Sequence, residues 1–372
     1  MCMAILVIAD DLTGAAEIGG IILRHGLSVE IVHTLETSTN KDVRILNTNT
    51  RSLKEKEALS HLKELFSTNP ILKWDWIYLK FDSALRGHIA AEISFYCRAF
   101  QKDNVVFCPV NPTLGRVIED NGWYWVDGKP IAETDFAQDP EFPIEKSGVL
   151  EVLGGDYWHL VKDVQGLSTE KSPYIVAAVN DLEGLHKWAS TATSFGIYAG
   201  AAAFFEALLL QRKKALPMTK DLEPWPQSPI LYVCGSNHEN SIKRIAKVDA
   251  NKVVYWQSIG EENKVAMDVL GKIEKFGKVI LTVARTVSHD AQTIRACMAE
   301  IVGIVQQTCP LQELVIEGGA TARAVLEVLD IDTLLPVREY GPGVIRNHVP
   351  GVTLAVTLKP GSYPWTENLW VF

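Results

Sequence analysis

Short apolar runs followed by segments of helical period organise this chain from its start. Ala4 to Ala9 is unbroken apolar sequence that stops at Asp10 and Asp11, and from Thr13 onward Ala16, Ile18, Ile21 and Ile22 recur at helical spacing. The pattern predicts a buried strand, an acidic turn and a helix. Clusters of β-branched residues from Val29 to His33 and from Val43 to Asn47 predict two more strands, Leu53 to Phe66 a helix, and Asp75 to Lys80 another strand. In FDSALRGHIAAEISFYCRAF a polar turn opens an amphipathic helix, and Val105 to Cys108 is a strand running into PVNPTLGR. In GWYWVDGKPIAET the Asp127-Gly128 dipeptide between β-rich arms predicts a hairpin. After the polar loop TDFAQDPEFP come a helix near Ile144 to Leu153, strands from Tyr157 to Val161 and Tyr174 to Val179, and helices over Asp181 to Ser194 and Ala199 to Lys213.

Leu216 to Ser228 carries three prolines and little periodicity, and reads as a linker. A second strand, turn and helix follow in ILYVCGSNHENSIKRIAKV, with further strands at Val253 to Trp256, Val279 to Val283, Leu314 to Glu317 and Thr353 to Leu358. Glycine turns end three of the segments here, at Gly235-Ser236, Gly318-Gly319 and Gly341-Pro342-Gly343. This alternation predicts an α/β fold of two domains, residues 1–215 and 229–372, each with a mainly parallel sheet flanked by helices and with the active site in the cleft between them.

Length and composition agree: 372 residues, 47% of them hydrophobic, are enough for two packed cores. The net charge of -9 argues against nucleic acid as a partner, since such binders concentrate Lys and Arg against phosphate. A local basic cluster can still hold a small anion. The six cysteines show no paired or zinc-ligand spacing and read as buried thiols in a reducing cytoplasm. The first apolar run is too short for a signal-peptide core, and no segment approaches a membrane span, so a cytoplasmic protein is expected. Neither GxxxxGK[ST] nor an early GxGxxG is present, which counts against P-loop NTPases and a nicotinamide-dependent dehydrogenase.

In a parallel sheet the strand ends converge on one edge, here bringing together Asp10, Asp11, Asn49, Arg51, Lys80, Asp82, Ser83, Arg86, Asn111 and Arg116. A helix cap accounts for one of the two opening aspartates and leaves the other unexplained. Basic groups in such a set can hold a carboxylate, and carboxylates can take hydrogen bonds or a proton from hydroxyls; the set suits a small hydroxylated acid. GGATARAV after the strand LVIE has the form of a phosphate-binding turn, or of a strand-to-helix turn that needs glycine sterically.

These stretches resemble the four-carbon acid sugar kinases, a family formerly grouped as a domain of unknown function. The resemblance rests on ADDLTGA at 9–15, NTNTRS at 47–52, KFDSALRG at 80–87, PVNPTLGR at 109–116, TDFAQDPEFP at 134–143, CGSNHENS at 234–241, GGATA at 318–322 and GPGV at 341–344. It implies an ATP-dependent kinase acting on the terminal hydroxyl of an acid such as threonate, erythronate or a 3-oxo-tetronate. By the same resemblance, Asp10 or Asp11 orients or deprotonates the nucleophile, and Arg51, Lys80, Asp82, Ser83 and Arg86 line the sugar-acid site. Ser236, Gly318, Gly319, Ala320, Thr321 and Gly361 contact ATP, and Mg²⁺ offsets phosphate charge through ligands the sequence does not identify. Sugar acid and ATP are the expected partners, and assembly into a homo-oligomer is left open. Two positions depart from the family: Ala320 stands where an acid is common, and TLKPGSYPWTENLW replaces a pattern close to LKSGNFG. Those departures favour, as the alternative, a non-catalytic sensor that binds sugar acid or nucleotide.

Overall fold

The computed structural model describes residues 5–35, 40–68, 74–139, 141–168, 173–191, 195–212, 228–235, 239–361, 363–370 and 372. The expected linker, as far as residue 227, and Ser236 lie outside them. Strand β1 (Ile5–Ala9) is buried along its whole length, as its apolar sequence requires, and α1 (Leu12–Arg24) follows directly on Asp10 and Asp11. Next come β2 (Val29–Val32), β3 (Val43–Asn47), α2 (Glu55–Thr68), β4 (Trp76–Lys80), α3 (Ile89–Ala99) and β5 (Val105–Cys108). Strands β6 (Arg116–Ile118), β7 (Tyr124–Val126) and β8 (Lys129–Pro130) form a small antiparallel sheet. Its tight turn is Asp127-Gly128, both at positive φ, the geometry this dipeptide favours. Then follow α4 (Val149–Leu153), β9 (Trp158–Val161), β10 (Tyr174–Ala177), α5 (Leu182–Thr191), β11 (Ile197–Gly200) and α6 (Ala202–Arg212). The second half comprises β12 (Ile230–Cys234), α7 (Glu239–Ile245), β13 (Val253–Trp256), α8 (Glu262–Phe276), β14 (Lys278–Val283), α9 (Ala291–Thr308), β15 (Glu313–Glu317), α10 (Gly319–Val328), β16 (Thr333–Gly341), β17 (Val344–His348) and β18 (Ala355–Lys359).

Two parallel runs, β2-β3-β1-β4-β11-β5-β10-β9 and β13-β14-β12-β15-β18, belong to one fifteen-stranded hydrogen-bonded order. The antiparallel hairpin of β16 and β17 joins them. Leu335 to Gly341 pair with β17, whereas Thr333 and Leu334 pair with Val32 and Ile31 of β2. This seam was not expected from sequence, because β16 contains Pro336, Arg338 and Glu339 and is mostly half-buried, so it shows no strong apolar run. Only its glycine turn was legible. One apolar core extends through both halves, and a smaller cluster including Tyr232, Val315, Trp365 and Leu369 packs separately from it.

Two further differences are local. The helix expected from Ala199 starts at Ala202, and Ile197–Gly200 is instead a buried strand inserted between β4 and β5. An Ala-rich run carries too little β-branched character to mark that switch. Gly200 makes it: its φ is 149°, and a Cβ there would lie 2.0 Å from the Cys108 carbonyl oxygen. The helix expected over Ile144 to Leu153 shrinks to α4. The five cysteines among the described residues are free thiols, and among those residues no helix is long and apolar enough to cross a membrane.

Helix α1 touches both halves. Its apolar side chains Leu12, Ala15, Ala16, Ile18, Ile21 and Ile22 are all buried. Fully burying a large aliphatic side chain stabilises the fold by about 1.5–3 kcal/mol. On its other side it rests against the seam through glycines. A Cβ on Gly19 would lie 2.9 Å from Pro336 Cγ, and one on Gly20 would lie 2.5 Å from Ile345 Cδ1.

Candidate active site

The acidic turn between β1 and α1 is built by its neighbours. Asp11 caps α1: its Oδ1 accepts the Gly14 N–H at 2.9 Å, and its Oδ2 accepts the Thr13 hydroxyl. Asp10 is buried. The Arg51 amide donates to the Asp10 carbonyl at 3.1 Å, which fixes Arg51 directly over the turn. Arg51 then grips Asp10 as a fork, Nε to Oδ2 at 2.9 Å and Nη2 to Oδ1 at 2.5 Å, while Nη1 reaches Asp11 Oδ2 at 2.9 Å. Burial pushes the Asp10 carboxyl up despite this fork. For Asp11 burial acts the same way, but Arg51, Lys80, Thr13 and Gly14 outweigh it and hold the carboxyl below its usual range. Losing Arg51 would leave the buried Asp10 carboxylate without its ion-pair partner, a cost of about 3–5 kcal/mol.

The end of β4 lies beside this turn. Lys80 donates to the Phe81 carbonyl at 3.1 Å and pairs with Glu17 of α1 at 3.2 Å. Arg86 folds back onto Asp82 through Nε and reaches Asp139 through Nη1 at 3.0 Å. Asp82 is accordingly held well below its usual range by Arg86 and Arg51, against the effect of burial. Arg116 donates to the Ser83 hydroxyl, and both Arg86 and Arg116 lie over the Phe136 ring, 5.7 and 5.2 Å from its centroid. The buried Arg116 Nε has no partner among the described residues.

Every candidate cation at this edge thus already carries internal partners. Sequence reasoning placed Arg116 in the edge grouping without taking it into the site, and it missed the acidic and aromatic partners Asp139, Phe136 and Glu17. Asp139 and Phe136 come from the loop 134–143, which its polar, proline-punctuated composition and the family resemblance marked without giving either residue a role.

In the second half the fully buried β15 ends at Glu317, and Gly318 (φ 97°) opens α10 with its amide donating to the Lys359 carbonyl at 2.9 Å. Glu317 accepts from Lys359 Nζ at 2.5 Å and from the Ser241 hydroxyl, while its Oε2 is buried without a partner among the described residues. Lys359 also donates to the Gly361 carbonyl at 3.3 Å. A pocket of about 230 Å³ beside the turn is lined by Gly235, Arg295 and Glu317, and by Gly318, Gly319, Ala320 and Thr321. A larger cleft of about 820 Å³ opens between α7 and the C-terminal segment, with Ser241 and Gly361 among its lining residues beside Trp365 and Trp370.

The two turns meet. A Cβ on Gly319 would lie 3.2 Å from Asp11 Oδ2 and 3.1 Å from Thr13 Cγ2. The start of α10 therefore faces the start of α1, and both helix N-termini present backbone N–H groups and partial positive charge to the same region. Tyr363 adds a second tie, donating its hydroxyl to Glu17 at 2.9 Å. Acids, cations, a glycine turn and two helix starts in one region can hold a small anion beside phosphate and align the two.

Comparison with known proteins places the chain in a family. The family described as sugar-binding N-terminal domain matches residues 5–208. A D-threonate kinase of Salmonella typhimurium is 28% identical over 328 residues, covering 79% of this chain and 74% of its own. A 3-oxo-tetronate kinase of Brucella melitensis is 29% identical over 158 residues, covering 41% and 36%, and a D-erythronate kinase of Heliobacterium modesticaldum is 28% identical over 163 residues, covering 42% and 37%. Among solved structures, one from Salmonella typhimurium described as a tRNA synthase superposes with a TM-score of 0.77 at 15% identity, over 98% of each chain. A Haemophilus influenzae protein of a family of unknown function superposes at 0.70 and 18% identity, also over 98% of each chain. At these identities the structural likeness concerns the fold.

Proposed function

The chain belongs to the family with a sugar-binding N-terminal domain, and from that premise we propose that it is a kinase transferring the γ-phosphoryl group of ATP to a hydroxyl of a four-carbon sugar acid. The observation that carries this reading is the approach of Gly319 to Asp11, which sets a phosphate-suited turn directly against an acidic one. Phosphoryl transfer depends mainly on alignment and charge stabilisation, so a site of this kind needs no covalent machinery.

Roles follow from exposure and partners. Asp11, the less buried of the two aspartates and the one beside Gly319, is the group that orients the attacking hydroxyl and takes up its proton. Asp10 holds Arg51 in place. Arg86 and Arg116 take the substrate carboxylate, with the unpartnered Arg116 Nε as a ready donor and Asp139 as the internal carboxylate that substrate displaces. Lys80 acts on Asp11 by its charge, since its ammonium is spent on Glu17 and Phe81. Asp82 and Ser83 fix the two arginines.

The triphosphate lies along Gly318, Gly319, Ala320 and Thr321, and the base and ribose extend toward the aromatic cleft beside Gly361. Residues 1–215 thus serve the acid and residues 229–372 the nucleotide. Kinase chemistry calls for Mg²⁺ to offset phosphate charge. Ala320 offers no ligand, but the orphaned Glu317 Oε2 in the wall of the same pocket fits the requirement for a carboxylate.

The test is ADP release by the purified protein with ATP, Mg²⁺ and each four-carbon sugar acid in turn. Turnover on one or more acids is expected. Tight binding of ATP or acid without turnover on any of them would replace the kinase with the sensor reading, for which Ala320 is the specific support.

A further inference from the structure

The pocket beside the glycine turn contains one cationic side chain among its described lining residues, Arg295 of α9, and nothing in the family resemblance assigns it a role. Its position is set by α9, which Asp290 caps by accepting the Thr293 N–H at 2.9 Å. Arg295 is aimed across the cleft. Its Nη1 lies 3.0 Å from Glu141 Oε1, a residue of the other half of the chain, and Glu141 Oε2 accepts the Ser52 hydroxyl at 3.3 Å.

Glu141 is itself held by Asp139, whose Oδ1 accepts the amides of Glu141 and Phe142 at 3.0 and 2.8 Å while its Oδ2 engages Arg86. A continuous set of contacts therefore leads from Arg86 at the proposed carboxylate site through Asp139 and Glu141 to Arg295 at the phosphate pocket. The Glu141 side chain is 38% exposed, and ion pairs this wet are weak and readily exchanged for a better anion. A triphosphate carries more charge than one carboxylate and accepts a guanidinium fork bidentately.

We propose that Arg295 is a phosphate-binding residue of the nucleotide site and that Glu141 is the internal anion it leaves when ATP binds. The proposal rests on the kinase reading and names a residue that reading does not need.

Isothermal titration of the full chain with ATP, in the absence of sugar acid, tests it on wild type, Arg295→Gln, Arg295→Lys and Glu141→Gln. Arg295→Gln should weaken ATP binding about ten- to hundredfold, as expected for loss of a charge-assisted contact, and leave sugar-acid affinity within about twofold. Arg295→Lys should recover part of the loss. Glu141→Gln, on an exposed loop, should tighten ATP binding a few-fold by freeing Arg295. Equal ATP affinity in wild type and Arg295→Gln would overturn the proposal, as would a Glu141→Gln variant that loses as much ATP affinity as Arg295→Gln, since the pair would then be a structural tie. Absence of any ATP binding by the wild type would instead overturn the kinase reading and this proposal with it.

Discussion

Replacing Glu92 by glutamine probes the floor of the proposed site. Glu92 projects from α3, is 1% exposed, takes a hydrogen bond from Thr50, and has one oxygen without a partner among the described residues. Burial, and after it the negative charge of Asp10, pushes its carboxyl up to about 8 from an ordinary value of 4.5. Between those two pH values the unfolded chain has released this proton and the folded chain still holds it. The unfolded state then binds fewer protons, so stability falls as pH rises, by about 1.4 kcal/mol for each pH unit. At pH 7 the accumulated cost is about 3 kcal/mol. Glutamine keeps the shape and an acceptor for Thr50 but cannot ionise. Glu92→Gln should therefore match wild type near pH 4.5, exceed it by about 3 kcal/mol at pH 7, and gain nothing more above pH 8. Thermal or urea unfolding of both proteins from pH 5 to 8.5 measures the difference. A gap that stays constant across that range would show that Glu92 is ionised in the folded protein and would refute the reasoning.

Other substitutions separate the proposed roles. Asp11→Asn keeps a residue able to cap α1 but removes the charge facing Gly319 and its ion pair with Arg51, so turnover should vanish in a protein that still folds but melts lower; wild-type kcat in the folded variant would move the role to Asp10. Arg86→Ala should raise KM for the sugar acid about ten- to hundredfold and leave KM for ATP nearly unchanged, measured by ADP release; the opposite split would reverse the assignment of the two halves. Gly319→Val places a branched side chain within about 3 Å of Thr13 and Asp11, so calorimetry should show weakened ATP binding, and unaltered ATP affinity would remove the phosphate from this turn.

Much of the candidate site's grouping was legible because a parallel sheet gathers strand ends. Asp10 follows β1, Lys80 ends the neighbouring β4 with Asp82 just beyond it, and Arg51 follows β3 on the other side of β1. Spacing alone could not reveal that Arg51 is consumed by both aspartates or that Asp139, fifty-three residues away in sequence, occupies Arg86. Such pairings depend on how a loop returns over the sheet edge, and loop composition does not encode that path. The fold shows the same division. Uniformly apolar strands such as β1 and β15 announced themselves, while β11 was hidden in an alanine-rich run and β16 by its proline and charges.

The seam formed by β16 has a bearing on how the molecule can be taken apart. The segment matching the sugar-binding family ends at residue 208, well before β16, yet β16 supplies the hydrogen-bonding neighbour on the outer side of β2. Gly19 and Gly20 of α1 likewise lie against Pro336 and Ile345 of that hairpin. A protein cut back to the matched segment would carry an unpaired apolar strand edge next to a bared helix face, an arrangement prone to pairing with other chains. The matched segment is therefore expected to fold poorly by itself, and inactivity of such a fragment would report an open sheet edge before it reported a missing nucleotide site.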